Sequence, residues 1–391
     1  MAWAPVIIFE PPQSSFRRPA LAISPLAEPN YLGNLVVPRL SVTICYMRTL
    51  SDYSERAKAH AQSSSSPPLL SVRGLTVRYA SSGEPSPHAL RGIDFDIEPG
   101  EIVGILGESG SGKSTLALSL LGLLPESADV AGSLRFEGKD LLRFDQSAWR
   151  GLRGARIAMV FQEPGLSLSP VMRVGSQIAE VLRAHRQGRG NHSKQRVEAA
   201  LADVGLSPAE RIYKAYPHQL SGGELQRVAV AQALACRPDV IIADEPTRSL
   251  DVTRQTEILA LLKETNRHFG CAFIFITHNP GLLVGFAHRV IVMYAGRIVE
   301  EGPVSRVFSR PLHPYTKGLL QLVPASLQNP GRVRGQHLPA LPGALTDHDH
   351  RSSGCSFASR CSARTDICQS QFPAEVVPDE GRRVSCFNYE N

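Results

Sequence analysis

The run "GESGSGKST", Gly107 to Thr115, has the residue types and spacing to grip a chain of phosphates. It satisfies G-x-x-x-x-G-K-[ST] and stands between the strand-like "IVGIL" and the helix-like "STLALSLLGLL". Glycine lets backbone N–H groups turn inward around phosphate oxygens, and a helix starting at the loop adds about half a positive charge at its N-terminus. Gly107, Ser109, Gly110, Gly112 and Thr115 are read as the cradle, Lys113 as the cation reaching the β- and γ-phosphates, and Ser114 as a Mg2+ ligand. Farther along, "DVIIADE", Asp239 to Glu245, is an apolar run ending in paired carboxylates. A strand tip beside a phosphate loop is where a Mg2+ carboxylate belongs. Asp244 is expected to hold the metal through water, and Glu245 to polarise the attacking water as general base.

A second constellation lies near the end of the chain. Of the seven cysteines, Cys355, Cys361, Cys368 and Cys386 follow one another as C-x5-C-x6-C-x17-C. This is not the short C-x2-C pair of a zinc ribbon, and four thiolates suit a soft metal centre. An iron–sulfur cluster, zinc, or unligated thiols all fit the residues alone. Phe357, Ile367, Phe372 and Phe387 are near enough in sequence to shield such a site, while "DHDHRSS", with His348 and His350, reads as a solvated loop. Cys236 and Cys271 read as small buried hydrophobes, and Cys45 stands apart from both groups.

The elements that must position these residues follow from pattern. From Leu69 the chain shows strand-like alternation in "LLSVRGLTVRYA" and "ALRGIDFDIEPGEIVGILG". Amphipathic helical stretches such as "VGSQIAEVLRAHRQG" come next, then the apolar strands "DVIIADE" and "AFIFITH" separated by a helix-like run. Strand and helix in alternation imply an α/β fold with a largely parallel sheet. At 391 residues, 42% hydrophobic and 20% charged, the composition is globular. The apolar runs are too short to cross a bilayer. A net charge of +6 without a basic stripe interleaved with aromatics gives no nucleic-acid surface. Residues 1–67 are Pro- and Ser-rich, predict a disordered extension without a secretory signal, and leave a translation start at Met47 as an alternative.

The stretch "LSGGELQRVAVAQAL", Leu220 to Leu234, resembles the signature of ATP-binding cassette (ABC) ATPases, and Tyr79, Gln162, Asp251 and His278 occur in that family's order. The resemblance implies a P-loop NTPase (RecA-like) core over 68–310, with an antiparallel β-subdomain, a helical subdomain at about 163–235 and a C-terminal extension over 311–391. It implies ATP and Mg2+ as ligands, with Tyr79 stacked on adenine, Gln162 sensing Mg2+ and water, and His278 touching the γ-phosphate. Ser221, Gly222 and Gly223 would face the nucleotide of a second ATPase subunit in a head-to-tail dimer, and Asp251 would count among the nucleotide-binding residues. Three positions depart from the pattern: Asn279 follows the histidine, where it can cap a helix ahead of Pro280, and Arg248 and Ser249 replace small residues.

Two further stretches, "FQEPGLSLSPVMRVGSQIAE" and "SRPLHPYTKGLLQLVP", are similar to the dipeptide, oligopeptide and nickel importers of the family. That narrower resemblance implies a transport ATPase at the cytoplasmic face of the inner or plasma membrane. Its partners would be a like or unlike second ATPase, two transmembrane permease subunits and, indirectly, an extracytoplasmic solute-binding protein. It also implies a [4Fe–4S] cluster on Cys355, Cys361, Cys368 and Cys386, with Zn2+ as the alternative. The rival readings are a nickel or other solute importer, a soluble cassette ATPase acting on nucleic acid or ribosomes, and a nucleotide-binding scaffold without hydrolysis. Glu245 and His278 together argue against the last.

Overall fold

A computed structural model describes residues 67–80, 86–185, 191–248, 250–321, 343–379 and 381–389. The readings made for the first 66 residues, Met47, Cys45 and Ser249 lie outside them. The central strands are β3 (Ile102–Leu106), β7 (Val240–Asp244) and β8 (Ala272–Thr277), and every residue in them is buried. Continuous apolar runs of this kind are what a parallel strand covered on both faces requires. They belong to an eight-stranded sheet. In it β3 pairs in parallel with β8 and with β9 (Arg289–Tyr294), and β7 pairs in parallel with β8 and with β6 (Ile157–Val160).

Alternate side chains of β3 serve opposite layers. Ile102 and Leu106 pack with Ile178 and Val228 from the helical layer, whereas Val103 and Ile105 pack with Leu116 and Leu120 and with the second sheet. That second sheet is four-stranded and antiparallel. Its order is β2 (His88–Ile97), β1 (Leu70–Arg78), β4 (Asp129–Phe136) and β5 (Lys139–Asp140). Between β6 and β7 the chain forms α3 (Pro164–Ser167), α4 (Val174–Ala184), α5 (Asn191–Asp203), α6 (Ala209–Lys214) and α7 (Gly222–Leu234); α1 (Lys113–Leu120) and α2 (Gln146–Leu152) precede them.

After β7 come α8 (Val252–Phe269) and, beyond β9, the strand β10 (Arg297–Pro303), then α9 (Val304–Ser309) and α10 (Pro314–Gln321). The C-terminal residues return to the core sheet. β12 (Arg383–Ser385) pairs antiparallel with β10, and β11 (Glu375–Val376) with β12. Arg382 and Glu300, both buried, form an ion pair of 2.9 Å at this seam, and Arg383 pairs with Glu301. Phe357, 2% exposed, packs its ring against Tyr294 and Tyr315 at 5.3 and 5.4 Å. Strand pairing, buried ion pairs and ring packing thus anchor to the cassette a segment expected to have little core of its own.

The stretch expected to be a solvated loop is corrected as well: Asp347–Arg351 forms a short helix, α11. Its Asp349 is 3% exposed and accepts hydrogen bonds from Thr346, Ser359 and Tyr294. Donors from distant parts of the chain satisfy the carboxylate, which is what makes its burial tolerable.

Candidate functional site

Strand register brings the chemistry together. Leu106 at the tip of β3 lies opposite Thr277 of β8, and Ile276 opposite Asp244 of β7. The loop after β3, the carboxylates after β7 and the histidine after β8 therefore share the carboxyl edge of the sheet, where open α/β folds bind ligands. Gly110 and Gly112 adopt φ of +82° and +102°, and a Cβ on Gly112 would stand 2.7 Å from the Ala89 carbonyl. Lys113 Nζ donates to the carbonyls of Gly107 and Glu108 at 2.8 and 2.7 Å. Burial lowers the Lys113 pKa, against the pull of Glu245, Asp244 and Glu108. Ser109 and Thr115 lie on the same loop and the helix that follows it. Tyr79 Oη is 3.2 Å from Thr115 Oγ1, which puts this ring beside α1.

Ser114 Oγ donates to Asp244 Oδ2 at 3.0 Å. Burial raises the Asp244 carboxyl above the ordinary range, partly offset by the Ser114 hydrogen bond. A hydroxyl and a buried carboxylate side by side are the hard oxygen donors that Mg2+ takes. Glu245 has φ 46°, in the left-handed region that costs a non-glycine residue, and its N–H donates to the Ile276 carbonyl at 3.0 Å. Its carboxylate meets three groups: His278 Nδ1 at 2.9 Å, the Gln162 amide at 3.3 Å and the Arg248 guanidinium at 3.4 Å. Arg248 was noticed in the sequence only as a departure from a pattern. Its place beside Glu245 is new, and the i,i+3 spacing is the signal that could have found it. Asn279 caps through its side chain, accepting from Gly281 N–H, although the element it opens is a short 3-10 turn.

Ser221 caps α7: it accepts from the Glu224 N–H while Glu224 accepts from the Ser221 N–H, a reciprocal capping box. Ser221 and Gly223 line a pocket with Arg211, Arg227 and Arg254 that contains no residue of the phosphate loop, and Gly222 is exposed beside it. Asp251 caps α8 by accepting from the Arg254 N–H at 3.0 Å. Ser221 and Gly223 therefore stand on a surface separate from the phosphate loop.

Cys355, Cys361, Cys368 and Cys386 line one pocket, together with His313, Phe357, Pro373 and Phe387. Burial pushes the Cys355 thiol up to about 11 and raises Cys361 and Cys386. The other three thiols each add to the rise at Cys355, so the four sit as neighbours, while among the described residues no group of three or more His, Cys, Asp or Glu stands as a single metal ion would require. The expected shielding is also partly corrected, since Ile367 is exposed and the Phe372 ring lies under Arg297. Cys236 and Cys271 are buried as small hydrophobes.

A phosphate loop, a strand-tip carboxylate pair and a capped glycine-rich helix start on a separate face define a P-loop nucleotide hydrolase of the cassette type. Residues 90–248 match the ABC transporter family, and residues 299–368 the C-terminal region of oligopeptide/dipeptide transporters. The chain is 43% identical over 326 residues to the oligopeptide transport ATP-binding protein AppD of Bacillus subtilis, covering 82% of this chain and 97% of that one. Over 320 residues it is 42% identical to the dipeptide transport ATP-binding protein DppD of Escherichia coli, covering 81% and 96%. The solved ATP-binding cassette MJ0796, a dimer bound to ADP and Pi, is 30% identical with TM-score 0.54, covering 60% of this chain and 98% of that one. CbiO1 of Clostridium perfringens is 32% identical with TM-score 0.54, covering 62% and 91%. The chain belongs to the ABC transporter ATP-binding proteins of the oligopeptide/dipeptide subfamily, and its enzymatic class is that of an ABC-type ATPase. Among the described residues no helix is long and apolar enough to cross a membrane.

Proposed function

We propose that this chain powers peptide import from the cytoplasmic face of the membrane, closing on ATP with a second ATPase subunit and reopening on hydrolysis. The observation that carries the catalytic half is the cluster at the sheet's carboxyl edge, where Ser114 and Asp244 meet at 3.0 Å and Glu245 meets His278 at 2.9 Å. Lys113 binds the β- and γ-phosphates, Ser114 and Asp244 hold Mg2+, and Gln162 faces the metal and water. Glu245 takes the proton of the attacking water, and His278, on the other side of that carboxylate, orients the γ-phosphate. Mg2+ supplies charge neutralisation at the phosphates. Tyr79 stacks on the base.

The separate pocket at Ser221 and Gly223, with its arginines, supports the reading that the signature face meets a partner's nucleotide. The dimeric state of the MJ0796 structure supports the same assembly. Exposed Phe161 and Val171, on either side of α3 next to Gln162, support a surface for two transmembrane permeases, with an extracytoplasmic solute-binding protein acting through them. The relatives' peptide-transport names favour di- and oligopeptides over nickel as cargo.

The same reading gives the four thiols a [4Fe–4S] cluster, supported by their lining one shared pocket with Phe357 and Phe387. Cys355, Cys361, Cys368 and Cys386 would hold the cluster, whose contribution is to knit the segment together. Iron, sulfide and zinc assays on anaerobically purified wild type and Cys361→Ser test this. About four irons and four sulfides, lost in the variant, are expected; stoichiometric zinc overturns the cluster.

The import reading is tested in vesicles containing this chain and its cognate permeases. Peptide with its binding protein should stimulate ATP turnover. Glu245→Gln, which keeps size and backbone, should lower turnover by about 10²–10⁴ while retaining ATP binding. Turnover indifferent to peptide would sink the cargo assignment, and near-normal turnover in the variant would sink the role of Glu245.

A further inference from the structure

The four-cysteine segment touches the phosphate loop itself. Arg360, the residue before Cys361, is 6% exposed and grips Glu108 with both arms, Nη1 donating to Oε2 at 2.8 Å and Nη2 to Oε1 at 3.0 Å. Glu108 is the second residue of the phosphate loop, and Lys113 donates to its carbonyl at 2.7 Å. The Glu108 N–H donates to Tyr315 Oη at 2.8 Å, and Tyr315 is packed on Phe357 at 5.4 Å. One turn on, His350 Nε2 donates to the Gly110 carbonyl at 3.1 Å. Both ends of this lattice are fixed. Arg360 also donates to Tyr294 Oη at 3.2 Å, and the Cys355 N–H donates to the Cys368 carbonyl at 2.8 Å.

We propose that Arg360 is a positioning residue for the phosphate loop, coupling the four-cysteine segment to nucleotide binding through Glu108. A bidentate guanidinium–carboxylate pair fixes distance and plane together, so a shift of the turn that carries Arg360 and Cys361 is imposed on the Glu108 peptide. Coupling of this kind is reciprocal: whatever nucleotide does to the thiol site, occupancy of the thiol site does to nucleotide by the same factor. The inference rests on the grip of Arg360 on Glu108 and not on what the four thiols hold.

The test uses the full chain, purified anaerobically with its native metal content measured separately. The rate at which a maleimide modifies Cys355, Cys361, Cys368 and Cys386 is read by peptide mass mapping, with and without a saturating non-hydrolysable ATP analogue. In wild type the analogue should slow modification by at least about fivefold, the lower end of ordinary coupling factors. Arg360→Ala and Glu108→Gln should each abolish that protection, and the double variant should add nothing. Glu108→Gln lies outside the cysteine segment, so unchanged metal content and Tm in this variant separate lost coupling from a lost fold. Protection that survives in Glu108→Gln, or is absent from wild type, overturns the proposal. A chain that carries no metal overturns the cluster reading instead, while the same labelling ratio still decides the coupling.

Discussion

Asp244 is 8% exposed, and its carboxyl sits above the ordinary range because burial penalises the charge, reinforced by nearby Glu245. A folded-state pKa above the unfolded value means that its favourable contribution is complete below the unfolded pKa and is lost as pH rises through the folded one. Once ionised, the carboxylate is therefore a charge that destabilises the nucleotide-free protein. Asp244→Asn, which removes that buried charge, should raise the Tm of the nucleotide-free protein at pH 7. The gain should shrink toward pH 4, and Mg2+-dependent hydrolysis should vanish. Calorimetry at the two pH values checks it, and a lower Tm for the variant at pH 7 would refute it. The groups of this site were legible in the sequence because phosphate and Mg2+ chemistry prescribes residue types within a few positions. The partner of Glu108 was not, since Arg360 lies 252 residues away and no periodicity links them.

Among the elements, the loop before α1 shows most directly how backbone shape serves chemistry. Gly112 combines φ +102° with a close approach to the Ala89 carbonyl of β2, while Gly110 at φ +82° meets only the flexible Leu345 side chain, at 3.3 Å. Gly112→Ala should therefore cost at least about 1–2 kcal/mol from φ alone, more with the backbone clash, and lose ATP binding. Gly110→Ala should be milder. Gly151→Ala in α2, where nothing stands within 4 Å, should stabilise by about 0.5–1 kcal/mol. Nucleotide titration and urea midpoints of the three variants give the ranking; a Gly112→Ala protein that binds ATP normally would count against it. The fully buried strands β3, β7 and β8 were readable as apolar runs. The strands β11 and β12 were not, because two or three residues are too few to show alternation. Asp349 was misread because a run of charges is ordinarily solvated, and only the tertiary fold brings Tyr294 and Ser359 to it.

For the molecule as a whole, the seam between β10 and β12 decides whether the C-terminal segment and the cassette unfold together. Glu300 is 0% exposed and accepts from Arg382 and from the N–H groups of Leu312 and His313, each at 2.9 Å. Removing the arginine leaves a buried carboxylate without its counter-charge. Arg382→Ala should destabilise by about 3–5 kcal/mol. The Arg382→Met, Glu300→Gln double variant should recover much of that loss. Chemical denaturation followed at both the cassette and the tail measures it. A loss below about 1 kcal/mol would mean that the seam carries little.

The same seam has a consequence for solubility. β10 is a seven-residue strand whose outer side would offer a row of unpaired backbone donors and acceptors. β12 occupies that side at Glu300 and Glu301, and the outermost strand there becomes the two-residue β11, too short to template a neighbouring chain. The tail thereby shortens the open edge through which the sheet could pair with a second copy of the protein.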